Sequence, residues 1–383
     1  MLGLAASLAP VQATTISPVV TLRGFLRDVV APGQYLGAVT FVSRDGRPLD
    51  WSAAGYRDLA RTSPMRRDTI FRIYSMTKTV ATVAVLALME DGKLDLDDPV
   101  GRHLPEFSGR PETVRHLLTH TSGFAAPSEA MEESADLKAY SEAAARIPGV
   151  VPPGTRFEYN SVNSEVASRL VEGVSGVVFG DFLRKRIFDP LRMNDTGFSV
   201  PRGKRARIAA MTSTDADGRL ISWPAPDSER PGDLLRPYQS GAGGLYSTAG
   251  DFARFCHMLL KDGELDGTRI LRAATVDMMM THQLNSLDPT RGTLGTSPPM
   301  LSQYKEGFGL GGFVNLDDPK RERPGSVGAF GWSGAAGTYF MIDRKQGVVA
   351  ILLTQHIARG LPRDPPKPSF RFYKIALLAA RTR

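Results

Sequence analysis

Within this 383-residue chain, the residues best suited to covalent chemistry lie in the run Phe71-Arg72-Ile73-Tyr74-Ser75-Met76-Thr77-Lys78-Thr79. Ile70 to Tyr74 reads as a short strand. From Ser75 onward, Val80, Val83, Ala84, Ala87 and Leu88 recur at helical spacing until Glu90-Asp91-Gly92 ends the pattern. Ser75 therefore falls in the first turn of an apolar helix, with Lys78 one turn on and on the same face. An amine there can manage the hydroxyl's proton, while the free amides and positive dipole end of the helix favour negative charge on a substrate. A serine at a helix N-terminus is also a common cap, so the pair becomes a site only if other groups join it.

The elements that must bring such groups together can be read in order. Thr21 to Val30 is an amphipathic helix with Leu22, Phe25, Leu26, Val29 and Val30 on one face, ended by Pro32-Gly33. Gly37 to Val42 leads through the Asp45-Gly46 turn to a return strand over Trp51 to Gly55. After the Ser75 helix the chain is mainly helical to about residue 235, with helices over Val114–Leu118, Asn163–Val174 and Gly180–Ile187. Pro201 to Arg207 reads as a short basic loop, most simply a solvated one. A helix over Thr248–Leu260 follows. Leu284 to Glu306 has no periodicity, as expected of a functional or mobile loop. Thr338–Ile342 and Val348–Leu353 form a second hairpin before a final helix. The economical arrangement is α+β: a sheet domain from 20–74 and 236–383, interrupted by a helical insertion over 75–235, with 1–19 as an N-terminal segment.

Two further stretches complete a constellation with Ser75 and Lys78. Pro152 to Ser161, containing Tyr159-Asn160-Ser161, ends a loop just before a helix, and Gly331-Trp332-Ser333-Gly334-Ala335 precedes a strand. With Leu117-Leu118-Thr119-His120-Thr121-Ser122-Gly123 and Gly243-Gly244-Leu245-Tyr246-Ser247-Thr248-Ala249, these motifs make residues 20–380 resemble the serine β-lactamase and penicillin-binding-protein superfamily. The chain is most similar to the branch of class C β-lactamases and family VIII carboxylesterases. The resemblance implies a β-lactamase/transpeptidase-like fold, an antiparallel sheet flanked by helices with a helical insertion domain. It also implies a Ser-x-x-Lys nucleophile pair at Ser75 and Lys78, with Tyr159 as general base and acid. The oxyanion hole would be the amides of Ser75 and Ala335, the latter on a strand edge. Trp332, Ser333, Gly334, Ser161 and Phe124 would contact substrate. No cofactor or metal is implied.

Two departures from the family pattern bear on substrate. Ser161 stands where an Asn is expected, and Trp332 replaces the Lys of Lys-Thr-Gly. Exchanging a cation for an indole removes attraction for a substrate carboxylate and adds apolar surface. A neutral, short-chain carboxylic ester is thus expected as substrate, with weak β-lactam hydrolysis. The alternatives are a β-lactamase or D-Ala-D-Ala carboxypeptidase, an acyltransferase, or a non-catalytic peptidoglycan-binding module. An ordinary Lys, with pKa about 10.4, cannot accept a proton at neutral pH, and lowering it by two to three units requires roughly 3–4 kcal/mol. Either Lys78 is perturbed in this way, or it stays charged and makes Tyr159 the base.

The remaining features narrow the field. The formal net charge is +7, and residues 359–383 hold seven Lys or Arg against one Asp. That tail reads as a solvated helix with Phe372, Ile375, Ala376 and Ala379 packed inward, rather than as a nucleic-acid surface. Cys256, the single cysteine, permits no intrachain disulfide and lies among Phe252, Phe255, Leu259 and Leu260 as a buried thiol. No run is long enough to span a bilayer. Residues 1–13 resemble the apolar core and cleavage site of a secretory signal without its basic start, which weakly favours export. His116 and His120 have metal-like spacing but no following Glu, so structural hydrogen bonding is expected. Gly331 to Ala335 misses Gly-x-Ser-x-Gly by one residue and lacks that motif's strand–elbow–helix context.

Overall fold

The structure is a computed structural model that describes residues 18–31, 34–223, 231–284 and 305–382. The signal-like residues 1–13, the Pro32-Gly33 helix stop and most of the aperiodic stretch, 285–304, lie outside the described residues.

A seven-stranded sheet forms the frame. Its strands are β1 Gly37–Arg44, β2 Arg47–Gly55, β3 Glu306–Phe308, β4 Phe313–Asn315, β5 Phe330–Gly334, β6 Thr338–Asp343 and β7 Val348–Leu353. They are ordered β2-β1-β7-β6-β5-β4-β3, and every pairing is antiparallel. β7 is an interior strand, third of the seven, and reads Val-Val-Ala-Ile-Leu-Leu, buried throughout. An interior strand covered on both faces needs such a run. The terminal helices α1 (Pro18–Val29) and α6 (Ser369–Arg381) pack together through Phe25 and Phe372, 5.6 Å between ring centroids. Phe372, Ile375, Ala376 and Ala379 of α6 are buried, as the pattern predicts. Helix α5 (Ala249–Leu260), with Thr248 accepting from Asp251 N as its cap, sets Phe252 on Phe340 of the sheet, and Cys256 is buried there.

The helix after Ser75, α2 (Thr77–Glu90), is buried over residues 77–88. Its Val, Ala and Leu side chains surround the whole circumference, the pattern of a helix enclosed on all sides. Each large aliphatic chain buried there contributes about 1.5–3 kcal/mol. The helix α4 (Ser161–Ser175) packs on it, and α3 (Val114–Leu118) packs on α4.

Several local expectations change. The strand before Ser75 is only Phe71–Arg72, and Ser75 sits in a 3₁₀ turn, Tyr74–Met76, ahead of α2. The helix expected over Gly180–Ile187 is α-helical over Phe179–Leu183 and continues as a π-helical turn over Arg184–Phe188. The basic stretch at 201–207 is a 3₁₀ helix, Arg202–Arg207, tied down by ion pairs. Arg207 binds Asp195 (2.6 Å) and Asp68 (3.2 Å), and Lys204 binds Asp195 (2.7 Å). Its charge is matched by acids outside the stretch, Asp195 shortly before it and Asp68 far upstream, which the composition of the stretch itself does not show. No described helix is long and apolar enough to cross a membrane.

Candidate active site

Ser75 stands at the tip of the 3₁₀ turn because the chain reverses sharply before it. Tyr74 has φ 45°, left-handed backbone that a tyrosine adopts only at a cost of about 1–3 kcal/mol. The neighbouring β5 makes the reversal possible. A Cβ on Gly334 would lie 2.3 Å from the carbonyl oxygen of Ile73, so only glycine lets the strand lie against the segment leading into Ser75. Thr338 Oγ1 donates to that same carbonyl at 3.1 Å. Ser75 remains partly exposed and lines a cavity of about 340 Å³ with Tyr74, Lys78, Ser161, Glu165 and Ser240.

Lys78 is 4% exposed, yet its Nζ is fully engaged. It donates to Ala242 O at 2.6 Å and to Ser75 Oγ at 3.3 Å, and lies 4.9 Å from the centroid of the Tyr159 ring. Burying an amine is tolerable only with such partners.

Tyr159 arrives on the loop that enters α4. Asn160 caps that helix: its Oδ1 accepts from Val162 N at 2.8 Å, while its Nδ2 donates to Phe124 O (3.0 Å) and Ala125 O (2.7 Å). One side chain thus ties the helix start to the segment after Gly123. The Tyr159 ring lies between His120 (4.8 Å) and Trp332 (5.1 Å), and its hydroxyl accepts from Trp332 Nε1 at 3.1 Å. Phe308 edges onto both Trp332 and His120. His120 is buried with φ 55°, and its Nδ1 accepts from Asn160 N at 3.2 Å. Burial, reinforced by the Lys78 charge, pushes its pKa down to about 3, so the ring is neutral. It is hydrogen-bonded, and no His/Cys/Asp/Glu cluster fit for a metal occurs among the described residues. His116 is likewise structural: its Nδ1 accepts from Thr113 N in the capping box of α3.

Ser75, Lys78, Tyr159 and Trp332 therefore form one run of contacts, and Ser161 lies with Ser75 and Lys78 in the cavity wall. Three expected positions differ in detail. Trp332 is 4% exposed and gives its N–H to Tyr159 instead of offering open apolar surface, because a buried indole needs an acceptor. Phe124 is buried on Phe107 and beside Arg110; what it contributes to the motif is its carbonyl. The motif Gly331–Gly334 is itself part of β5, and Ala335 is not on the strand edge. It is an exposed residue of the turn into β6, which Gly337 closes with φ 74° and a bond from its N–H to Gly334 O. Pairing with β4 ends at Gly331, leaving Trp332–Gly334 past the end of that strand.

Sequence reasoning passed over Glu165, Ser240 and Ala242. Glu165 is 3% exposed and accepts from Ser240 Oγ (2.5 Å) and Gly241 N (2.9 Å). Burial pushes its pKa up to about 7, against the opposing pull of Ser240, Lys78 and the loop amides. The available signal was a lone acid at a core position, with Val162, Val166 and Leu170 around it on the helix.

Comparison with known proteins agrees with this architecture. A family model described as Beta-lactamase matches residues 22–364. Protein Rv1367c of Mycobacterium tuberculosis is 33% identical, over 86% of this chain and 88% of its own length. Esterase EstB of Burkholderia gladioli is 29% identical over 85% and 87%. Monacolin J acid methylbutanoyltransferase of Aspergillus terreus is 28% identical over 90% and 92%. With nearly its whole length matched, the chain belongs to the β-lactamase family, within the superfamily that holds penicillin-binding proteins, family VIII-like esterases and acyltransferases.

Proposed function

We propose that the protein hydrolyses short-chain carboxylic esters through a Ser75 acyl-enzyme. The observation that carries this reading is that Lys78 Nζ reaches both Ser75 Oγ and the Tyr159 ring, with Ser75 and Lys78 lining the cavity. Tyr159 takes the Ser75 proton as Oγ attacks the ester carbonyl. Lys78 donates to Ser75 Oγ and holds positive charge against the Tyr159 ring, while the Trp332 N–H donates to the Tyr159 oxygen; both favour the phenolate, which accepts the proton and becomes the phenol. The Ser75 and Ala335 amides receive the tetrahedral oxyanion, a donor of this kind being worth about 3–4 kcal/mol. Collapse expels the alcohol, which leaves with the proton from Tyr159. Water then attacks the acyl-enzyme by the same path; Tyr159 takes a proton from it and returns it to Ser75 Oγ as that oxygen leaves and the acid is released.

Trp332 in place of a cation supports neutral esters over β-lactams or D-Ala-D-Ala peptides. Purified protein is expected to release p-nitrophenol from p-nitrophenyl butyrate, and Ser75→Ala to abolish nearly all of it; wild-type turnover by that variant would refute the reading. A chromogenic cephalosporin turned over faster than the ester would reverse the substrate ranking. A second reading, acyl transfer to an alcohol, is favoured by the relative described as a methylbutanoyltransferase. The same acyl-enzyme serves both. Adding excess alcohol acceptor and quantifying ester against free acid distinguishes them.

A further inference from the structure

Lys78 makes its shorter hydrogen bond not to a side chain but to the Ala242 carbonyl. That carbonyl needs something to hold it, and the structure supplies an unusual support. Glu165, on α4 and 3% exposed, takes one hydrogen bond on each carboxylate oxygen, from Ser240 Oγ and from Gly241 N. These are the two residues immediately before Ala242. The loop is also pressed onto the helix: a Cβ on Gly241 would lie 1.7 Å from Ser168 Oγ, and Ser168 is itself held by Ser164 O at 2.8 Å. A carboxylate is costly to bury, and an apolar residue at this point of α4 would pack with less penalty. What an apolar residue could not do is accept two donors from one loop.

We propose that Glu165 is a positioning residue for Lys78: by clamping Ser240 and Gly241 it fixes the Ala242 carbonyl that keeps Lys78 Nζ beside Ser75. The inference rests on the reading of Ser75 and Lys78 as the reacting pair. Glu165 lies in the cavity wall, but its carboxylate oxygens are taken up by Ser240 and Gly241 and not by Ser75. It acts through three links, carboxylate to loop, loop carbonyl to amine, and amine to hydroxyl. Loss of the clamp lets the amine drift, which lowers the rate of the chemical step and leaves substrate binding alone, since misplacement of about 1 Å costs on the order of 10²-fold in rate.

The variants that test it are Glu165→Ala and Glu165→Gln. Glutamine can keep both contacts, its oxygen accepting from Gly241 N–H and its amide donating to Ser240 Oγ, which reverses that hydroxyl from donor to acceptor. Steady-state hydrolysis of p-nitrophenyl butyrate is expected to show kcat about 30-fold lower for Glu165→Ala with KM within about threefold, and Glu165→Gln restored to within about threefold of the parent. A folded Glu165→Ala with parental kcat overturns the proposal, as does a Glu165→Gln variant as impaired as Glu165→Ala. Should Glu165→Ala fail to fold, Ser240→Ala decides: about a tenfold loss in kcat supports the clamp and an unchanged kcat overturns it. Ser75→Ala and Lys78→Ala, assayed alongside, separate the two levels. Turnover surviving in them sinks the acyl-enzyme reading, and the clamp with it. Turnover lost in them but kept in Glu165→Ala sinks the clamp alone.

Discussion

The two walls that meet at Lys78 are built on opposite principles. On one side Tyr159 is held by rings: His120, Trp332 and, behind them, Phe308 and Phe157, with a single indole N–H as the polar contact. On the other side the Ala242 carbonyl is held by a buried acid and a loop, with hydrogen bonds in place of ring contacts. The aromatic wall fixes a side chain by shape, and shape tolerates modest chemical change. The polar wall fixes a main-chain group by directed bonds, each of which is lost outright when its partner is removed. Under the proposed mechanism, in which a proton moves between an alcohol and a phenol with an amine between them, the site has one wall of each kind.

Mutations can break this comparison, beginning with the largest effect. Tyr159→Phe retains the ring and its packing but not the hydroxyl, so kcat for p-nitrophenyl butyrate is expected to fall by about 10²–10⁴-fold with KM little changed. An unchanged kcat would strip the aromatic wall of its chemical purpose. Trp332→Phe keeps the stacking and deletes the N–H. The loss of one buried hydrogen bond, about 1–2 kcal/mol, predicts a roughly tenfold fall in kcat, measured in the same assay. Asn160→Ala removes a helix cap and should cost about 1 kcal/mol of stability, read as a lower thermal midpoint.

The smallest effects concern pH, and here the walls have opposite signs. His120 titrates at about 3 in the fold against an ordinary 6.5. The unfolded chain therefore takes up that proton first, and the stability His120 contributes is full above 6.5 and lost as pH falls toward 3. Glu165 titrates at about 7 in the fold against an ordinary 4.5. Its contribution is full below 4.5 and lost as pH rises through 7. His120→Asn should accordingly flatten the acid side of the thermal-midpoint profile, and Glu165→Gln the side between pH 4.5 and 7. Parallel profiles for parent and both variants would remove the distinction.

What could be read in advance divides along the same line. Ser75 and Lys78 were legible because their relation is local, one helical turn. Tyr159 and Trp332 were legible through motif resemblance, and both hairpins through alternation and turn residues. The bond between Trp332 and Tyr159 was not, since it joins positions 173 residues apart. Nor was the ion pairing of Arg207 and Lys204 with Asp195, or the displacement of Ala335 into a turn. Glu165 was invisible for a sharper reason. Its partners are a hydroxyl and an amide in a loop whose letters, Ser-Gly-Ala, carry no chemical signal of their own.

The Ala242 carbonyl has a consequence for how such enzymes diverge. A peptide oxygen is encoded by every residue, so the side chain at 242 can drift among descendants while the lysine keeps its anchor. Selection would fall instead on position 241, where a methyl group would strike Ser168. A comparison of homologues should then find variety at 242 and near-uniform glycine beside it.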